Sequence, residues 1–191
     1  MLEILGVTTG IIYLWLEYRA SIYLWIAGMI MPAIYIFIYY DAGLYADFGI
    51  NIYYLVIAIY GWLAWKTGFR ISGTKKRDGG LPISRTPKKV WAKMSVVYIA
   101  TQISIAWILI NYTDSTVAWA DSFTTALSIV GMWMLARKYI EQWWVWCVVD
   151  VASSALYIYK GLHFTALLYA VYAIIAIFGY YKWKKMIPNE Q

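Results

Sequence analysis

Cysteine and histidine are almost missing from this chain, with Cys147 and His163 the only examples in 191 residues. A single thiol excludes an internal disulfide and any cysteine-based metal cluster. A single imidazole excludes the paired histidines of H-E-x-x-H. Charge is scarce too: Asp, Glu, Lys and Arg make up 14% of the residues, against about 25% in a soluble globular domain. No G-x-x-x-x-G-K-[ST] phosphate loop occurs, so ATP hydrolysis by that route is excluded. No Ser/His/Asp arrangement is visible, and the aspartates are scattered rather than paired. The chain reads as no enzyme, with no metal or cofactor to expect. The opening residues MLEILG lack the basic n-region of a cleavable signal peptide, so they are expected to belong to the mature protein.

What the chain does have is apolar surface, with 63% hydrophobic and 19% aromatic residues. Water cannot solvate such a composition, and lipid can. A helix needs roughly 20 apolar residues to cross the hydrocarbon core. Apolar runs fall at 2–16, 22–40, 45–65, 90–110, 119–136, 142–159 and 164–183. The reading is an all-α membrane protein of seven transmembrane helices, with no room for a separate soluble domain. The first run is short, which suits a tilted or partly interfacial helix. Most of the 12 Trp and 19 Tyr are expected in interfacial belts or helix packing.

Between the third and fourth runs lies KTGFRISGTKKRDGGLPISRTPKK, the one long polar segment. If successive loops alternate sides, 15 of the 16 basic residues fall on one side and only Lys160 on the other. The positive-inside rule then predicts an external N-terminus, with the long loop and the C-terminus in the cytoplasm. The net charge of +6 is accounted for by this topology and by contact with anionic membrane lipid, not by nucleic acid.

A shift of 118 residues aligns the first three runs with the last three without a gap. Trp15 meets Trp133, Arg19 meets Arg137, Trp25 meets Trp143, Tyr39 meets Tyr157 and Tyr54 meets Tyr172. Gly43 meets Gly161, Gly61 meets Gly179, and Trp65-Lys66 meets Trp183-Lys184. In all, 15 of the 56 positions from Ile11 to Lys66 are identical. The matched basic residues fall on one predicted side, so the triple-helix units are parallel and need one span between them. A 3+1+3 plan is that of SWEET-type carriers, with substrate held near the midplane between repeats. The expected divisions are 1–66 for the first bundle, 67–112 for the loop and linker helix, and 113–191 for the second bundle.

An ionisable residue inside a span is costly unless paired or hydrated. Asp150 sits mid-span in WWVWCVVDVASSALYIY. Trp143, Trp146, Asp150, Ser153 or Ser154, and Tyr157 share one helical face, opposite an apolar stripe of Val145, Val148, Val149, Ala152 and Ala155. A carboxylate among aromatic rings suits an organic cation. The competing reading is a carboxylate satisfied by a neighbouring helix. In the third span Asp47, Asn51 and Tyr54 form a second polar stripe; Asp47 lies near the interface, where solvation competes evenly with a site role. Asp121 opens the fifth span, where complementing the helix dipole competes with substrate contact. Thr124, Thr125 and Ser128 either line a path or bond their own backbone. Glu141, beside Arg137 and Lys138, suits a cap or an ion pair, and His163 is expected at the surface.

Over GLYADFGINIYYLVIAIYGWLAW, DSFTTALSIVGMWMLARKYIEQWWVWCVVDV and LYIYKGLHFTALLY the chain resembles the PnuC family of vitamin transporters. The resemblance covers most of both repeats and implies a SWEET-like fold, facilitated diffusion, and a homotrimer in a bacterial inner membrane. It also implies trapping of the vitamin by a cytosolic kinase. Nicotinamide riboside members carry asparagine at the position of Asp150 and glutamine at that of Asn51. Both departures point toward the thiamine branch, often called PnuT, with nicotinamide riboside as the alternative. The substrate residues expected are thus Asp150, Trp146, Asn51, Tyr54, Trp143, Tyr157, Asp121 and Asp47.

Overall fold

The computed structural model describes residues 2–41, 45–68 and 80–187, with side chains described from residue 10 onward except at 39 and 45–47. Seven helices follow in order: α1 (Leu2–Tyr18), α2 (Tyr23–Asp41), α3 (Tyr45–Thr67), α4 (Lys88–Tyr112), α5 (Ala118–Ala136), α6 (Gln142–Tyr159) and α7 (His163–Lys185). They match the seven predicted runs within about two residues at each end. Three of them, Phe48–Thr67 of α3 together with α4 and α7, are long and apolar enough to cross a membrane by length and composition. The helices α5 and α6 are shorter, at 19 and 18 residues, and carry the polar side chains of interest.

The chain divides into two compact units, Met1–Pro82 with Ala136–Lys138, and Ile83–Leu135 with Tyr139–Gln191. In the first unit α2 packs on α3 through Trp25, which is fully buried. Its ring meets Trp65 edge-on, with centroids 5.5 Å apart at 89°. A Cβ at Gly61 would collide with that indole, so glycine is what lets the ring lie on α3. Lipid gives no hydrophobic drive between helices, so close approach over small residues supplies the attraction.

Helix α1 ends at a left-handed Ala20, φ 51°. Ala20 N–H donates to Glu17 C=O at 2.8 Å and Ser21 N–H to Leu16 C=O at 2.9 Å, the two bonds of a Schellman motif. A non-glycine residue there costs about 1–2 kcal/mol. The three residues from the α5–α6 turn that belong to this unit are tied in by their side chains. Arg137 Nη1 donates to Tyr60 Oη at 2.9 Å, and Lys138 Nζ stands 4.2 Å from the Trp65 ring centroid. Burial pushes the Lys138 ammonium down to about 8, and the ring offsets part of that cost.

The second unit repeats the scheme. Trp143 of α6 meets Trp183 of α7 at 5.7 Å and 88°, over Gly179, where a Cβ would come within 2.6 Å. Buried Ala166, Ala173, Ala176 and Gly179 form the small-residue seam of α7 that accepts α6. The turn bonds also repeat: Tyr139 N–H to Met134 C=O at 3.1 Å matches Ser21 to Leu16, and Lys138, φ 52°, matches Ala20. On the other side of α6, Val145 joins Met94 of α4 and Val130 and Met134 of α5 in a buried cluster. The outer face of α4 exposes Val96, Ile99, Ile103, Trp107 and Ile110, and the exposed Ser95 and Ser104 satisfy their hydroxyls on the helix's own carbonyls, a surface for lipid.

The residues leading into α4 are fastened to the start of α6. Ile140 N–H donates to Ser84 C=O at 3.0 Å. Glu141 Oε2 accepts from both Thr86 N–H and Thr86 Oγ1, each at 2.8 Å. The expectation of a cap or ion pair at Glu141 is therefore corrected. Its backbone is already helical and its side chain caps nothing, because Thr86 offers two donors at once.

Candidate functional site

Within the second unit, α6 presents a run of polar atoms that the packing does not use. Asp150 is 6% exposed, and its carboxylate has no hydrogen bond or ion pair among the described residues. It lies within electrostatic range of the Tyr169 and Tyr172 hydroxyls on α7. The Tyr157 and Tyr169 rings lie tilted at 5.2 Å, and Tyr169 continues to Tyr172 at 5.7 Å. A carboxylate faced by a chain of tyrosines is thus assembled from α6 and α7. Asp150 and Tyr157 come together here as the sequence suggests, while Tyr169 and Tyr172 are additions. The 118-residue shift could have found them, since it carries Asn51 and Tyr54 onto those positions.

One helical turn before Asp150, Trp146 lies over Gly131 of α5, whose Cβ would stand 3.2 Å from the indole. The Trp146 Nε1–H is buried without a partner. Trp143 shares the α6 face in projection but is engaged in packing, 1% exposed between Gly179 and Trp183. The stripe opposite Asp150 is not uniform either. Val145 and Val149 are buried, whereas Val148 is 48% exposed and Ala155 points outward.

Asp121, expected at the start of the fifth span, is held by Lys160 Nζ at 3.1 Å and by Ser115 Oγ at 3.1 Å. Both partners are polar and near helix ends, so the pair closes the α4–α5 and α6–α7 connections. Thr124, Thr125 and Ser128 take the second of their two readings. Thr125 Oγ1 donates to Asp121 C=O at 2.7 Å, Ser128 Oγ to Thr124 C=O at 2.8 Å, and Thr124 to Ala120 and Asp121. Short hydroxyl side chains in an apolar helix satisfy themselves in this way. His163 is exposed at the first position of α7.

In the first unit, Tyr54 is within electrostatic range of Tyr13 on α1, which in turn faces Glu17, and Tyr53 and Tyr54 lie 5.7 Å apart. Asn51 stands one turn earlier on α3 and is half-buried. Glu17 is 2% exposed, a buried carboxylate the hydropathy pattern hides because it falls at the end of the first apolar run. The Asp47 side chain lies outside the described residues. No group of three or more His, Cys, Asp or Glu that could hold a metal occurs among the described residues.

Residues 1–185 match the sequence profile of a family described as nicotinamide mononucleotide transporter. The chain is similar to the nicotinamide riboside transporter PnuC of Escherichia coli, 22% identical over an alignment of 201 positions that covers 95% of this chain and 84% of that protein. It is also similar to the riboflavin/roseoflavin transporter RibM of Streptomyces davaonensis, 24% identical, covering 95% and 83%. Among solved structures, the crystal structure of the vitamin B3 transporter PnuC shares the fold, with a TM-score of 0.67 at 19% identity over 95% of this chain and 79% of that one.

Proposed function

This chain belongs to the nicotinamide mononucleotide transporter family, a multi-pass membrane family of vitamin carriers and not of enzymes, and we propose that its substrate is nicotinamide riboside. The relatives named for that vitamin support the choice. The observation that carries a substrate role for α6 is the unpartnered Asp150, mid-helix and 6% exposed. A carboxylate at the centre of a span costs about 2.5–3.5 kcal/mol, and a cationic pyridinium ring bound beside it would offset that cost. Trp146 and the tyrosines of α7 supply aromatic faces for the same ring.

Thiamine is the second reading. The exchange of an amide for Asp150 favours a ligand whose ring donates protons to a carboxylate. Riboflavin, the substrate named for RibM, is uncharged and has less use for an aspartate. Asn51, Tyr54 and Asp47 of α3 are further substrate residues in this reading, and the 118-residue repeat supports a 3+1+3 carrier of the SWEET type. The segregation of basic residues supports an external N-terminus and a cytoplasmic C-terminus. Without a phosphate loop, the mode is facilitated diffusion across a bacterial inner membrane, as a homotrimer, with a cytosolic kinase trapping the product.

Thermal shift against nicotinamide riboside, thiamine, riboflavin and glucose tests the assignment. A ligand at a hundredfold excess over its Kd stabilises by about 2.7 kcal/mol, and nicotinamide riboside should give the largest shift. A shift by glucose alone would make the protein a sugar carrier. In proteoliposomes the vitamin should equilibrate without ATP or an ion gradient, and accumulation against a gradient would refute facilitated diffusion.

A further inference from the structure

Gln142 opens α6 and is completely buried, yet neither Nε2 nor Oε1 has a hydrogen-bond partner. Leaving a buried amide unsatisfied costs about 1–3 kcal/mol per group, so native structures rarely keep one without a use. Packing is not that use. The matching position 118 residues earlier is Leu24, also completely buried, at the same point after the same turn. A leucine fills that place in the first unit, so the second has no structural need for an amide. Trp25 and Trp143 also bury an unpartnered N–H, but there a large ring clamped over glycine gives the reason. Gln142 has no such ring.

Gln142, Trp146 and Asp150 follow one another at intervals of four and form one stripe of α6. The Gln142 amide has no partner among the described residues, the Trp146 ring is clamped over Gly131 as Trp25 and Trp143 are over their glycines, and Asp150 forms no ion pair among the described residues. Eight residues at about 1.5 Å rise put Gln142 about 12 Å from Asp150, with the Trp146 indole between them. An amide offers one donor and one acceptor side by side, and its reciprocal partner is another primary carboxamide. We infer that Gln142 is a substrate-recognition residue that pairs with a carboxamide on the vitamin. The inference rests on the transport reading above and adds a specificity element at the start of α6. Gln142 is closed off here, so substrate meets it only once that turn is uncovered, as alternating access requires of a carrier.

Gln142→Leu imports the residue of the first unit and tests the inference. Isothermal titration would compare nicotinamide riboside with the pyridinium riboside that lacks the carboxamide, with the ligand-free Tm measured beside it. The Kd for nicotinamide riboside should rise about tenfold, or about 1.4 kcal/mol, the scale of one neutral hydrogen bond. The pyridinium riboside should bind as before, and the Tm should hold or rise because two unsatisfied atoms are gone. Equal changes for both ligands, or a lower Tm with both Kd values unchanged, would make the amide a water-bonded structural group and overturn the inference. Gln142→Met, with a flexible chain of similar volume, gives the same reading if the leucine variant folds poorly. A wild type that binds neither riboside would bring down the transport reading and this inference with it. A wild type that binds beside an indistinguishable variant would overturn the inference alone.

Discussion

Where α2 carries Leu24, Gly28 and Pro32, the matching stretch of α6 carries Gln142, Trp146 and Asp150. Around them the two triple-helix segments agree closely. Trp25 on Gly61 and Trp65 in the first has its counterpart in Trp143 on Gly179 and Trp183 in the second, with ring geometries within 0.2 Å and 1°. The left-handed residue after the first helix recurs at φ 51° and 52°. A ring-over-glycine contact recurs too, but with its partners exchanged. Tyr13 of α1 lies over Gly28 of α2, whereas Trp146 of α6 lies over Gly131 of α5, and the 118-residue shift superposes each ring on the other's glycine. Residues that hold helices together are kept in register, Trp25 and Trp143 with their unpartnered N–H among them, whereas Gln142, Trp146 and Asp150 are not. Departure from the repeat is therefore a better pointer to chemistry than the repeat itself.

The shared scaffold can be broken at equivalent points. Trp25→Ala and Trp143→Ala each open a cavity the size of an indole and should cost about 3–5 kcal/mol, in similar measure, read as loss of Tm in detergent. Neither should alter the ratio of affinities for nicotinamide riboside and thiamine. A selectivity change confined to Trp143→Ala would return Trp143 to the binding site, where its place in sequence suggested it.

A smaller effect sharpens the difference between the segments. Glu141 corresponds to Tyr23, so its grip on Thr86 has no counterpart in the first. Glu141→Gln removes the charge from two hydrogen bonds and should lower stability by about 1–2 kcal/mol. Limited proteolysis near residue 85 should speed up, and an unchanged rate would show that Ser84 and Ile140 hold the strand alone.

Smaller still is a pH effect at Lys138, the counterpart of Ala20. Burial holds its folded pKa at about 8, below the usual 10.5 of a lysine. Between those values the unfolded chain binds more protons, so stability should rise with pH through that window. In Lys138→Met this contribution is absent, and the variant's Tm should gain less than the wild type's between pH 8 and 10. Parallel curves would mean that the Trp65 ring cancels the burial.

Much of the fold was legible in composition alone. Seven apolar runs became seven helices, because a chain this apolar has few other ways to satisfy its backbone in lipid. The site was legible less evenly. Asp150 stands out because a mid-span carboxylate interrupts hydropathy. Glu17 and Gln142 do not, since both sit at the ends of apolar runs where polar residues read as boundaries. For Trp143, periodicity gives a direction around the helix axis and not the packing partner, which is Gly179 and Trp183 of α7. Thr124, Thr125 and Ser128 were undecidable from sequence, as a hydroxyl that bonds its own helix looks the same there as one that lines a path.

The claim on which the rest depends is that Asp150 faces substrate and does not support the fold. Isothermal titration of Asp150→Asn, with its ligand-free Tm, tests it most directly. The change keeps shape and removes charge. Thiamine binding should weaken by ten- to hundredfold, about 1.5–3 kcal/mol for a hydrogen bond to a charged group. Nicotinamide riboside binding should weaken too, because its pyridinium loses the charge it offsets, and the Tm should not fall. A variant with unchanged affinity for both vitamins and a lower Tm would make the carboxylate structural and contradict the account.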